Sequence, residues 1–389
     1  MSTPFAPSSP RSARTDELAS SLDGLFRTAL VHKLFSGASL AVAGPDRILL
    51  ERHWGSTREG GSPIDENTLF DLASLTKPLV TASLCIWAVG SGLLDLEDRL
   101  GRFLPKSLLP ASMGDIAVRH LLNHSSGLPP YAPFYLDLID RPPPERRNIM
   151  LQSILELPLA SPPGRVSRYS DLGFILLGIL MEELLGSPLD VLTTLTLSSS
   201  IFSRDLVYRR LVVGTDPTLA PDDSSTRGRA VAATEVCPWR RRLLVGEVHD
   251  ENAYCLDGVA GHAGLFGTVS GVVGWLHRLW GVYRGIDPGD SWSSSIAREF
   301  WDRSPTSPHG TWVLGFDTPT PSASSAGTCF SPRSVGHLGF TGTSFWLDLE
   351  REILVVLLTN RVYPSRGSDG IKTFRPMVHD LVMKGIHGA

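Results

Sequence analysis

The chain predicts an α/β fold of the α+β kind: an antiparallel sheet flanked by helices, with a largely helical subdomain inserted in the middle. Three observations predict it. First, "GASLAVAGPDRILLERHWG" places two β-rich runs around Gly44-Pro45-Asp46, which reads as a hairpin turn. Second, "TSFWLDLEREILVVLLTNR" repeats that design near the other end, around Glu350-Arg351-Glu352. Third, from about Leu75 to Leu192 the pattern is mainly helical, broken by Pro/Gly loops such as "SSGLPPYAP" and "RPPPERR".

The elements follow in order. Residues 1–14 are Pro- and Ser-rich and read as a disordered tail ahead of one domain, 15–389. A helix is expected from Thr15 or Asp16, either of which can cap it. The sheet part takes about 15–73 and 255–389, and the insert about 74–254. "FRPMVHDLVMKG" closes the chain as a helix, and 214–230 is loop-like. There is no internal repeat at a fixed period.

Composition excludes several classes. The 389 residues are 42% hydrophobic and 20% charged, as in ordinary globular proteins. A net charge of -4 offers nothing to nucleic acid. No apolar run reaches the roughly 20 residues that span a bilayer, and "LGFILLGILMEELLG" comes closest. Cys85, Cys237, Cys255 and Cys329 are scattered and do not read as a disulfide framework. The first residues carry no apolar h-region, so a cytoplasmic enzyme is expected. Nothing specifies an oligomeric state.

Lysine occurs only at positions 33, 77, 106, 372 and 384, and arginine supplies every other cation. Lysine can be driven neutral by burial, whereas arginine stays charged. Lys77 follows Ser74 at i+3, one helix face on, and Pro78 is tolerated only in a helix's first turn. A helix is therefore expected to start near Ser74 and to end at Gly90 or Gly92. Its N-terminal partial charge and burial both lower the pKa of Lys77, whose neutral amine can take the Ser74 proton. The Ser74 N–H offers half of an oxyanion hole.

Two further motifs support the first. Tyr169-Ser170-Asp171 ends a loop and opens an apolar helix, with Asp171 a candidate N-cap. His337-Leu338-Gly339 lies on an expected strand, and Thr341-Gly342-Thr343 turns into the next. Glycine there lets a ligand approach closely, and the Phe340 N–H can complete the oxyanion hole.

In this order the three motifs resemble the serine beta-lactamase and penicillin-binding-protein superfamily, in particular its class C-like serine hydrolase branch. That branch carries Ser-x-x-Lys, Tyr-x-Asn and Lys/His-x-Gly. Flanking stretches agree: "LLNHSSGLP", "PPGRVSRYSDLGFILLG" and "LLTNR". The resemblance covers about residues 20–385 and implies a beta-lactamase/transpeptidase-like fold. It implies Ser74 as acylated nucleophile, Lys77 sharing its proton, and Tyr169 as base and later acid. Ser74 and Phe340 N–H groups would hold the oxyanion. His337 would replace a cationic lysine and orient substrate or Tyr169, and Asp171, Gly339, Thr341 and His262 would meet substrate. No cofactor is implied.

The second motif ends in Asp171 rather than Asn. A carboxylate would pair with Lys77 or with a substrate ammonium, and efficient hydrolysis of beta-lactams is not expected. "GEVHDENAYCLDGVAGHAGLFGT", with "LGFDTP" and "HLGFTGTSFWLD", is similar to a narrower branch of cytoplasmic muramyl-peptide amidases and relatives of penicillin-binding protein 4B. The expected substrate is thus a small molecule or short peptide, a muramyl peptide above all, met in the recycling of cell-wall fragments. The rival readings are a carboxylesterase of the same fold and a catalytically silent penicillin-binding or sensing module. His249, Asp250 and His262, with Glu235 and Cys237 near in sequence, are metal-ligand types, but their spacing matches no standard zinc pattern and no metal is expected. His124 is expected to brace a loop. Specificity is expected in the loops around 128–147 and 214–250.

Overall fold

A computed structural model describes residues 10–195, 197, 204–211, 228–286, 291–303 and 310–387. Of the expected tail, residues 1–9 lie outside the described residues, as do 214–227 of the expected loop. Helix α1 (Pro10–Val31) begins ahead of Thr15 and Asp16. Proline suits a helix's first turn, so Pro10 rather than either expected cap opens it.

The main sheet joins β1 (Gly37–Ala43), β2 (Ile48–Gly55), β8 (Ser334–Leu338), β9 (Ser344–Asp348) and β10 (Ile353–Thr359) in the order β2-β1-β10-β9-β8. Every pair is antiparallel, and β1 from one end of the chain lies against β10 from the other. Both expected hairpins form where the turn residues place them. Strand periodicity sorts the core into two layers. Leu40, Val42, Val355 and Leu357 face α1 and the closing helix α11 (Ile371–His387), where Leu22, Phe26, Phe374 and Val378 cover them. Ala41, Ala43, Leu354 and Val356 face the opposite way, toward Val272, Trp275 and Leu276 of α9 (Val269–Arg284).

A second sheet orders β3 (Phe70–Asp71), β7 (Leu265–Gly267) and β4 (Leu206–Tyr208) as β3-β7-β4. It ties the entrance and exit of the insert together. Within the insert run α2 (Ser83–Gly90), α3 (Val118–Leu122), α4 (Tyr135–Leu138), α5 (Pro143–Leu155), α6 (Asp171–Leu185) and α7 (Leu189–Leu195). Past α7 the described part changes character: β4, the two-stranded β5 (Val236–Cys237) and β6 (Arg242–Leu243), and the one-turn α8 (Glu251–Cys255) are joined by loops. The insert is therefore helical mainly in its first part. Helix α10 (Ser294–Trp301) packs beside α2 and α9.

Among the described residues one helical run, Ala73–Gly90, is long and apolar enough to cross a membrane, and 78% of it is buried inside the protein. The stretch from Asp171 passes the same test only jointly with Leu189–Leu195, across a 61° bend. Both runs are core helices of the fold described above.

Candidate active site

The site forms where the first turn of the Ser74 helix meets the β8–β9 turn. Ser74 lies in a 3-10 turn, Ala73–Leu75, which passes into a π-helical turn, Lys77–Ala82, and then α2. The expected helix is present and ends at Gly90, but its start is not plain α-helix. Ala73 holds φ +47°, a left-handed conformation that costs an L-residue roughly 1–2 kcal/mol. The buried Asp71 carboxylate steadies it, accepting from Ala73 N at 2.8 Å and from His249 N at 2.7 Å. Burial raises the Asp71 pKa against these two hydrogen bonds.

The turn is clamped from both sides. Thr76 Oγ1 donates to Ala73 O and accepts from Leu265 N of β7. From the other side Thr341 Oγ1 donates to Asp71 O at 2.7 Å and Thr343 Oγ1 to Leu72 O at 3.0 Å. Thr341, expected to meet substrate, therefore spends its hydroxyl on the backbone beneath Ser74. Gly339 must be glycine for the same reason: a Cβ there would lie 2.0 Å from Thr343 Oγ1 and 2.7 Å from Leu72 O.

Lys77 Nζ is buried and donates to Ser74 Oγ at 3.0 Å, Asp171 Oδ1 at 2.7 Å and His262 O at 3.1 Å. Burial lowers its pKa, and the Asp171 carboxylate opposes that. The phenol of Tyr169 lies 2.7 Å from Ser74 Oγ and 3.1 Å from Asp171 Oδ1. Burial, and then the Asp171 charge, raise its pKa well above 10. The phenol is therefore held neutral at neutral pH, which suits an acid. Lys77 beside it is the group whose proton affinity burial weakens.

Asp171 opens α6, but its cap is Ser170, whose side chain accepts from Gly173 N at 3.2 Å. Asp171 is left free to turn its carboxylate onto Lys77, where it pairs instead of waiting for substrate. His124 braces this corner as expected: its Nδ1 accepts from Ser170 N at 3.2 Å, and its ring packs on Tyr169 with centroids 4.7 Å apart. Trp312 lies against His124, Tyr169 and His337 and walls this side of the site.

His337 sits on edge strand β8, with Nδ1 held by Leu338 O at 2.8 Å. It reaches Tyr169 only through ring packing, with centroids 6.3 Å apart. Burial, then the Lys77 charge, lower its pKa to about 3, so a neutral ring stands where the resemblance implies a cationic lysine in other members. Phe340, at the turn, is 49% exposed and stacks on His249 with centroids 5.6 Å apart. The first turn of the Ser74 helix leaves its N–H without an intrahelical partner.

The metal-ligand types separate into two pairs. His262 Nε2 meets Asp250 Oδ1 at 2.9 Å, and His249 Nε2 meets Glu235 Oε2 at 3.0 Å. Arg366 Nη2 joins Glu235 to Glu251, at 2.6 Å from each. Burial raises the Glu235 pKa, but His249 and Arg366 outweigh it and hold the carboxyl near 2. Among the described residues, no three of these ligand types come together. The buried His262 ring touches Asp250, and it is the His262 carbonyl that reaches the site, so the expected substrate contact becomes a support for Lys77. The sequence reading gave no role in the site to Asp71, Thr343 or Trp312. Thr343 and Trp312 act across large sequence separations, and Asp71, three residues before Ser74, takes its second hydrogen bond from distant His249, which no local spacing marks.

Comparison with known proteins gives the family. The Beta-lactamase family profile matches residues 22–374. The chain is 31% identical over 351 residues to an N-acetylmuramyl-L-alanine amidase of Bacillus subtilis (strain 168), covering 84% of this chain and 77% of that one. It is 28% identical over 353 residues to a putative D-alanyl-D-alanine carboxypeptidase of Salmonella agona (strain SL483), covering 84% and 79%. Among solved structures, EstCE1, a hydrolase with promiscuous acyltransferase activity, superposes with a TM-score of 0.70 at 20% identity, covering 95% of this chain and 99% of that one. The chain belongs to the beta-lactamase family and is a serine hydrolase of the beta-lactamase/transpeptidase-like fold.

Proposed function

We propose that this hydrolase cleaves the amide joining a muramyl unit to L-alanine in peptidoglycan fragments, through an acyl-enzyme on Ser74. The observation that carries the chemistry is one oxygen held by two proton carriers: Ser74 Oγ meets Lys77 Nζ at 3.0 Å and Tyr169 OH at 2.7 Å. The likeness to a relative named as an N-acetylmuramyl-L-alanine amidase supports the substrate.

In this reading the neutral Lys77 amine takes the Ser74 proton as Oγ attacks the carbonyl carbon. The N–H groups of Ser74 and Phe340 hold the oxyanion. When the C–N bond breaks, Tyr169 gives its proton to the leaving amine, and the Lys77 ammonium restores the phenol. Water then attacks the ester and releases the acid, with its proton returned to Ser74 through the same groups. His262 O and Asp171 hold Lys77 in place throughout. Asp171 carries a carboxylate in place of an amide and spends it on Lys77, so no amide is offered to a beta-lactam side chain, and slow cephalosporin turnover is expected. This reading places the enzyme in the cytoplasm, in the recycling of cell-wall fragments; cell fractionation tests the location.

The test is turnover on a muramyl-L-alanine peptide, p-nitrophenyl acetate and butyrate, a D-Ala-D-Ala peptide and a chromogenic cephalosporin, with wild type beside Ser74→Ala. Fastest cleavage of the muramyl amide, lost in Ser74→Ala, is the expected result. Turnover of short esters alone would make the enzyme an esterase. Identical behaviour of the two proteins would overturn Ser74 as nucleophile.

A further inference from the structure

The turn that carries Phe340 is backed by two guanidinium groups. Arg375, from α11, donates through Nη2 to Gly339 O at 2.6 Å and to Thr343 O at 2.8 Å. Arg361, just past β10, donates through Nε to Phe340 O at 2.7 Å. Both side chains are buried, Arg375 to 6% exposure. Among the described residues no carboxylate pairs with Arg375, and its Nε has no hydrogen-bond partner. The charge that acts on it is the like charge of Arg361. Burial pulls its pKa down to about 9, which still leaves it cationic at neutral pH.

An unpaired cation in the interior is costly. Its placement suggests what offsets the cost. Gly339 C=O and Phe340 N–H belong to one planar amide with delocalised electrons. A cation donating to the oxygen of that amide draws electron density from its nitrogen and makes the N–H a stronger donor. Arg375 also fixes the turn geometry, because Thr343 O, its second acceptor, receives Gly339 N at 2.7 Å. A fixed positive charge in a low-dielectric site stabilises negative charge that develops nearby.

We propose that Arg375 is a positioning residue for acyl transfer: its buried guanidinium orients and polarises the 339–340 peptide from behind, and the transition-state oxyanion is the negative charge it answers. The inference rests on the reading of Ser74 as nucleophile and Phe340 N–H as oxyanion donor.

Phenylboronic acid adds to a serine oxygen as an anionic tetrahedral adduct and so reports the oxyanion site. Its dissociation constant by calorimetry and the thermal unfolding midpoint are measured for wild type, Ser74→Ala, Arg375→Gln and Arg375→Lys, with KM and kcat for p-nitrophenyl acetate for wild type and the Arg375 variants. Ser74→Ala should abolish boronate binding. Boronate binding that survives in Ser74→Ala would overturn the nucleophile reading, and the Arg375 inference with it. Arg375→Gln keeps a donor and loses the charge. It should weaken boronate and lower kcat by about tenfold to a hundredfold with KM little changed. A folded Arg375→Gln protein with wild-type boronate affinity would overturn the inference alone, as would equal losses in boronate affinity and KM. If Arg375→Gln does not fold, Arg375→Lys decides. Lysine keeps the charge, but on a shorter stem that holds its ammonium back from the two carbonyls that Nη2 bridges, so a loss of boronate affinity is expected, and wild-type affinity overturns the inference.

Discussion

Lys77 Nζ lies 2.7 Å from Asp171 Oδ1 while keeping Ser74 Oγ at 3.0 Å. One amine thus answers two opposed demands. Burial favours its neutral form, able to take a proton, and the carboxylate favours its charged form. The balance sets the pH at which the proposed base becomes available.

Asp171→Asn removes the carboxylate that stabilises the ammonium. Lys77 then gives up its proton at lower pH, so the acid limb of the kcat/KM profile should move to lower pH. A pH–rate profile of the variant beside wild type measures this. An unmoved or raised acid limb would remove Lys77 from the role of base.

Tyr169→Phe should separate two kinds of substrate. A leaving amine needs a proton and p-nitrophenolate does not. Amide turnover should therefore fall about 10²- to 10⁴-fold, with a much smaller loss on p-nitrophenyl acetate. Parallel kinetics on the two substrates check it, and equal losses would deny the phenol an acid role.

Gly339→Ala should damage the oxyanion turn. Its Cβ would meet Thr343 Oγ1 at 2.0 Å and Leu72 O at 2.7 Å, and a backbone carbonyl cannot rotate away as a side chain can. A stability loss of about 1–3 kcal/mol is expected, with activity lost beyond it as the Phe340 N–H shifts. Urea unfolding and turnover measure the two effects separately.

Acid should destabilise the fold through buried neutral histidines. Burial lowers His337 to about 3 and His379 to about 4. The unfolded chain binds protons on both as pH falls through about 6.5, while the folded chain does not. Stability is therefore full above that pH and declines toward the folded values, by about 2 kcal/mol for each histidine between pH 7 and 5. His379→Gln, away from the site, should flatten this decline by one histidine's share in urea unfolding at the two pH values. An unchanged slope would show that His379 is not held neutral.

Much of the chemistry was legible in one dimension. Ser74 and Lys77 are helix neighbours by spacing alone, and Pro78 limits where that helix starts. Period-2 apolar runs around Gly44-Pro45-Asp46 and Glu350-Arg351-Glu352 specify the two hairpins, because alternating side chains must be buried on opposite faces. The start of α1 and the Ser170 cap were misplaced, since neighbouring polar residues compete for the same cap and only the local backbone decides among them.

Tertiary structure alone decided what each group became. Of the roles open to Asp171 it took that of partner to Lys77, His337 filled the place of a cationic lysine with a neutral ring, and Thr341 turned from a substrate contact into a brace. Trp312 and Arg375 entered the site from far along the chain. Sequence spacing sets which residues share a helix face or a strand, because those periods are local. Burial, charge pairing and the direction of a donor depend on which distant segments pack together, and here the two ends of the chain meet across β1 and β10 to settle them.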